Sequence, residues 1–184
     1  MNLVDWIGAL LGILGVILTI YQKIACWPVS IVSVMVSSYS FYHAGLFGDS
    51  ALQILYLFQS VYGWLIWKKN EELKHTVAYH IPKNKTFFFT YFTFGQAIAY
   101  YFILVNLNST VALADALLTA ASVTATYMMS KKWIESWILW ILIDLSYIIL
   151  YLEKDLTPYA IQYFIFTLLA LNGFLQWRKV LPQS

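Results

Sequence analysis

Apolar residues gather in seven runs separated by short polar breaks, and each run is long enough to cross a bilayer as a helix. A helical span needs about 20 predominantly apolar residues. The runs predict helices at Leu3–Tyr21, Ala25–Gly45, Ala51–Trp67, Thr86–Leu107, Ala112–Ser130, Ile134–Leu152 and Leu156–Trp177. Pro28 and Pro158 fall near predicted helix starts, where a missing N–H costs little. The one long connection, Lys68–Lys85, is charged and contains Pro82. It divides the chain into a first three-helix bundle (1–69), a cytoplasmic link with helix four (70–107) and a second three-helix bundle (108–184). The expected fold class is an all-α integral membrane protein with seven transmembrane helices in a three-one-three order.

Composition agrees. Hydrophobic residues make up 61% of the 184, charged residues only 11%, and mean hydropathy is +0.68. A soluble domain carries about 25% charged residues. Met1 and Asn2 lead straight into a run longer than a signal core, so no cleavable leader is expected. Charge becomes informative once it is divided between the two sides. Seven spans place Lys23, Lys68, Lys69, Lys74, Lys83, Lys85, Lys131, Lys132, Arg178 and Lys179 together, with only Lys154 opposite. The basic side faces the cytoplasm. The expected topology therefore puts the N-terminus outside and the C-terminus inside.

Shifting the chain by 110 residues lays the first three runs on the last three without a gap. Asp5 meets Asp115, Trp27 meets Trp137, Gly63 meets Gly173, Trp67 meets Trp177 and Lys68-Lys69 meets Arg178-Lys179. About ten of 67 compared positions are identical. With one helix between the triplets, both have the same orientation. That is a parallel repeat about the membrane normal, an arrangement suited to alternating access around a central site. Trp140 falls on Ser30 and Asp144 on Val34, so both break the repeat.

Those two residues belong to a stripe. Trp133, Trp137, Trp140, Asp144, Tyr147 and Tyr151 are spaced 4, 3, 4, 3 and 4, which puts them on one helix face. A carboxylate near the bilayer centre costs roughly 2.5–3.5 kcal/mol on insertion scales and marks a functional site. Tryptophan faces attract cations, so Trp137, Trp140 and Asp144 suit a flat organic cation. The competing reading is a helix seam with a hydrogen-bonded acid, but seams favour small residues. Trp133 and Tyr151, near the two faces, read as interfacial anchors.

On the third helix Gln59, Tyr62 and Gly63 share a face; the seventh offers Tyr163, Asn172 and Gly173. Their amides and hydroxyls can bind a ligand's hydroxyl groups or bond between helices. The expected substrate-binding set is Trp137, Trp140, Asp144, Tyr147, Gln59, Tyr62, Tyr163 and Asn172. Asp5 and Asp115 are accounted for by helix N-termini. Lone Cys26 and scattered His43, His75 and His80 predict no metal site. No catalytic triad, metalloprotease motif or phosphate loop is present. An enzyme would need two convergent acid–base or metal groups at one depth, and the spans offer one. The other class is a membrane scaffold, which would tolerate loss of Asp144 and Trp140. No cofactor and no nucleic acid are expected, and membrane lipids are.

Gln59-x-x-Tyr62-Gly63-Trp64-x-x-Trp67, Trp137-x-x-Trp140 and Gly173-x-x-x-Trp177, within seven helices ordered three-one-three, resemble the PnuC family of bacterial vitamin transporters. The resemblance implies a fold related to the SWEET sugar transporters. It further implies facilitated diffusion of an unphosphorylated vitamin, trapping by a cytoplasmic kinase, and a homotrimer. Its members take up nicotinamide riboside, thiamine or riboflavin. Nicotinamide riboside members carry an Asn four residues after the second Trp of the sixth helix, where this chain has Asp144. That departure and the short N-terminus resemble the thiamine branch. Thiamine is therefore the preferred substrate, nicotinamide riboside the alternative, and neutral riboflavin third.

Overall fold

The computed structural model describes residues 3–43, 47–72, 78–106, 112–153 and 157–181. Lys154, Asp155, Lys74, His75 and the side chains of Asp5, Asp49 and Asp115 lie outside the described residues. Among the described residues there are seven helices: α1 (Leu3–Ile20), α2 (Cys26–His43), α3 (Phe47–Glu72), α4 (Lys83–Asn106), α5 (Ala112–Ser130), α6 (Glu135–Glu153) and α7 (Thr157–Lys179). Eleven of the fourteen expected starts and ends move, by one to five residues. α3 runs furthest past its apolar stretch, adding the charged turn Lys68–Glu72.

By length and composition alone, two of these helices, Glu135–Glu153 and Ala160–Lys179, are apolar enough to cross a membrane, while Trp6–Ile20 is a shorter apolar stretch. Hydroxyl and amide residues dilute the others, α2 most clearly with Ser30, Ser33, Ser37, Ser38 and Ser40. Many such hydroxyls are satisfied inside their own helix. Thr19, Thr90, Thr93, Ser122, Thr126, Ser146 and Thr167 each donate to the carbonyl four residues back, at 2.8–3.0 Å. A hydroxyl bonded this way carries little of its polarity into lipid.

The chain forms two compact units, residues 1–78 with 172–184, and residues 79–171. In the first, α1 and α2 meet along small residues. An added Cβ on Gly8 would lie 3.3 Å from Ser37 Oγ, and one on Gly15 would lie 3.0 Å from Ser30 Oγ. Ser33 Oγ donates to the Gly8 carbonyl at 3.0 Å. This close approach is the packing mode that membrane helices favour. Further out, Ser38 and Ser50 join α2 to α3 by mutual hydroxyl and carbonyl bonds at 3.0–3.1 Å.

At the other end of this unit three tryptophans are packed. Trp27 meets Trp67 edge-on at 5.5 Å, and Trp67 meets Trp177 at 6.2 Å. Trp177 Nε1 donates to the Ile20 and Thr19 carbonyls at 3.1 and 3.3 Å, satisfying the C-terminal end of α1. Gly63 gives the Trp27 ring its place, because any Cβ there would overlap the six-membered ring. Gly63→Ala is therefore expected to destabilise the protein by about 1–3 kcal/mol. The measurement is a thermal midpoint in detergent, and adding Trp27→Leu to the same chain should recover part of the loss.

In the second unit the segment before α4 docks on the α5–α6 turn. Tyr79 N donates to the Lys132 carbonyl and Ile134 N to the Tyr79 carbonyl, both at 2.9 Å, a short parallel bridge. Ala78 and Ile134 are buried beside it.

The two inner turns are built alike. Gln22 and Lys132, 110 residues apart, have φ of 51° and 55° in the left-handed region. Lys23 N donates to the Leu18 carbonyl at 2.9 Å, and Trp133 N to that of Met128 at 3.1 Å. Gln22 N bonds Thr19 O as Lys132 N bonds Met129 O, Cys26 N bonds Lys23 O as Ser136 N bonds Trp133 O, and Trp27 N bonds Ile24 O as Trp137 N bonds Ile134 O. A residue in the left-handed region with a six-to-one bond is the Schellman end of a helix. The 110-residue offset thus holds bond by bond, where sequence identity is sparse.

Candidate functional site: the inner face of α6

α6 begins at a fixed register. Glu135, in its first turn, accepts the Ile81 backbone N–H at 3.0 Å through Oε2 and pairs with His80 Nδ1 at 2.7 Å through Oε1. Ser136 Oγ donates to the Trp133 carbonyl at 2.7 Å. Together with the Tyr79 bridge, these bonds set the rotation of α6 about its axis. Glu135→Ala is expected to cost about 1 kcal/mol, mostly through the lost acceptor for Ile81, since His80 is exposed. Faster hydrogen exchange at Tyr79 and Ile81 is the observable consequence.

With that rotation, Ile138, Leu142, Leu145, Ile149 and Leu152 are exposed, whereas Ser136, Trp137, Ile143 and Asp144 are buried. The stripe predicted from spacing is the buried face. Trp137 is 2% exposed and Asp144 4%, while Trp140, Tyr147 and Tyr151 are half-buried. Among the described residues no hydrogen bond or ion pair reaches the Asp144 carboxylate. Buried carboxylates are normally paired.

One turn outward, aromatic rings gather. Tyr147 lies 5.8 Å from Tyr151 and 4.7 Å from Tyr163 of α7, and Tyr151 lies 5.4 Å from Tyr163, with interplanar angles of 18–34°. Phe166 stands edge-on to Tyr163 at 6.0 Å. The structure thus brings Tyr147 and Tyr163 together beside the face that carries Asp144.

Two residues read as interfacial anchors are placed otherwise. Trp133 is 7% exposed and packs against Phe89 at 5.3 Å and Tyr127 at 6.2 Å. Tyr151 belongs to the tyrosine stack. Sequence spacing put both on the right face, but the rings that cover them come from α4, α5 and α7, at separations that spacing does not reveal.

Gln59, Tyr62 and Asn172 belong to the first unit. Gln59 is half-buried and Tyr62 is exposed beside Gly63. Asn172 is exposed, and its Oδ1 accepts from Gln176 Nε2 one turn along α7 at 3.3 Å. Trp27, the counterpart of Trp137, is a packing residue on Gly63. Its example favours packing for Trp137 too.

Among the described residues no group of three His, Cys, Asp or Glu side chains could hold a metal ion. The family described as nicotinamide mononucleotide transporters matches residues 2–179, and the chain belongs to this family, the PnuC transporters. It is similar to the nicotinamide riboside transporter PnuC of Escherichia coli, at 21% identity over 95% of this chain and 84% of that protein. The PnuC of Neisseria mucosa is 24% identical over 97% of this chain and 74% of its own length. The riboflavin/roseoflavin transporter RibM of Streptomyces davaonensis is 24% identical over 94% of this chain and 83% of its own. A crystal structure of the vitamin B3 transporter PnuC aligns with a TM-score of 0.79 at 22% identity, covering 96% of this chain and 81% of that one. That likeness establishes the fold.

Proposed function

We propose that this protein carries a flat, cationic vitamin across the inner membrane, with nicotinamide riboside the first substrate. The observation that carries the proposal is the buried Asp144, without a hydrogen bond or ion pair among the described residues, on the same α6 face as half-buried Trp140 and Tyr147. The Trp140 ring would stack on the cationic ring, Asp144 would supply the counter-charge, and Tyr147 and Tyr163 would line the outer part. The vitamin itself comes from the relatives, whose names point to nicotinamide riboside in two organisms and riboflavin in a third. The preference for thiamine read from the sequence is therefore moved to second place. Asp144 does not decide between the two, since thiazolium and pyridinium are both flat cations that a carboxylate would favour. The roles read for Gln59, Tyr62 and Asn172 rest on the sequence.

The 110-residue repeat supports a three-one-three architecture with two bundles alternating about the site. We infer that flux is downhill, with a cytoplasmic kinase trapping the vitamin, as the family resemblance implies; proton coupling through Asp144 is the alternative. Radiolabelled nicotinamide riboside should equilibrate across ATP-free vesicles containing the protein and go no further. Accumulation beyond equilibrium under an imposed proton gradient would contradict facilitated diffusion.

A further inference from the structure

We propose that Tyr147, Tyr151 and Tyr163 form an entry gate at the outer end of α6, a stack that accepts a flat ring whether or not it is charged, before Asp144 selects for charge. This rests on the reading of Asp144 as the counter-charge and on the outward direction of Tyr151.

Four observations carry it. The three rings lie 4.7–5.8 Å apart, Tyr147 and Tyr151 stacked at 18° and Tyr163 tilted to both by 33–34°, a cluster that a planar ligand can enter by taking one ring's place. All three are half-buried, neither sealed into a core nor spread on lipid. Tyr147 and Tyr151 continue the α6 face that carries Asp144, at one and two further turns. Finally, the stack has no twin in the repeat. The residues 110 positions earlier are Ser37, Phe41 and Gln53, just as Ser30 and Val34 stand for Trp140 and Asp144. In the first unit that helix face is a seam, with Ser30 and Ser37 set against Gly15 and Gly8. The second repeat puts Trp140, Asp144 and Tyr147 where the first has Ser30, Val34 and Ser37, while position 151 is aromatic in both. A change of this kind over about two helical turns marks a path rather than a single point.

A tyrosine stack has no net charge, so it discriminates flatness and leaves charge to the next station. Riboflavin, whose ring system is neutral, is therefore a probe for the gate alone. Its fluorescence is quenched on stacking, which allows a direct titration of the purified, full-length protein. Wild type and Asp144→Asn should bind riboflavin equally. Tyr151→Leu should bind it roughly two- to tenfold more weakly, the factor expected for one lost ring stack, and Tyr151→Phe should bind like wild type. In uptake assays Tyr151→Leu should raise KM for nicotinamide riboside by a similar factor at an unchanged maximal rate.

The gate is overturned if Tyr151→Leu binds riboflavin like wild type, if Tyr151→Phe falls as far as Tyr151→Leu, or if Asp144→Asn abolishes riboflavin binding. Tyr151→Phe keeps the test decisive should the leucine variant fail to fold. Failure of the underlying reading has a different signature: riboflavin binding follows the tyrosine variants as expected, yet Asp144→Asn takes up nicotinamide riboside like wild type.

Discussion

Asp144→Asn should bind a cationic vitamin about thirtyfold to several thousandfold more weakly than wild type while leaving the protein at least as stable. The two effects have one cause. The carboxylate is 4% exposed with no hydrogen bond or ion pair among the described residues, so in the free protein it contributes a desolvation cost and no pairing. Replacing a buried ionic group by a neutral one of the same shape is often neutral or stabilising by about 1–4 kcal/mol. In the complex the same group faces a cation, and truncating one partner of a buried charge pair costs about 2–5 kcal/mol. A thermal midpoint that rises or holds in ligand-free detergent, together with lost affinity by titration, is the expected pair of results. A residue serving only to hold helices together would give the opposite pattern, with lower stability and unchanged binding.

The second large effect separates two tryptophans that sequence spacing treats alike. Trp137→Ala should destabilise the protein by about 3–5 kcal/mol, the usual cost of removing a buried aromatic ring. Trp140→Ala should leave the fold intact and weaken binding by at least about thirtyfold, as truncation of an anchor ring does. The distinction comes from burial and from the repeat. Trp137 is 2% exposed, and its counterpart Trp27 is seated on Gly63 within a packed tryptophan cluster. Trp140 is half-buried, and its counterpart Ser30 is a seam residue against Gly15. Thermal melting of both variants, followed by titration of whichever remains monodisperse, decides between packing and binding for each ring.

Much of this architecture was legible in the sequence because its signals are periodic. Seven apolar runs gave seven helices. The 110-residue offset is matched in the α1–α2 and α5–α6 turns by the left-handed Gln22 and Lys132. The buried face of α6 followed from 3.6-residue spacing, because leucines and isoleucines occupy the opposite side. Other features carry no periodic signal. Docking of Tyr79 on the α5–α6 turn uses backbone groups, which every residue has, so a polar connection gives no sign of it. The burial of Trp133 depends on Phe89, more than forty positions earlier, and spacing within one helix says nothing about a ring arriving from another. Tyr151 reads as an anchor for the same reason: only α7, through Tyr163, reveals the stack. The choice of vitamin was least legible, since one carboxylate specifies a cation without specifying which.

The measurement that tests the account most directly is a calorimetric titration of nicotinamide riboside, with thiamine in parallel, into the purified wild type and Asp144→Asn. The account predicts that a cationic vitamin binds the wild type at micromolar concentrations or better, and that the binding collapses in Asp144→Asn. Equal affinity of both proteins for that cation would contradict it.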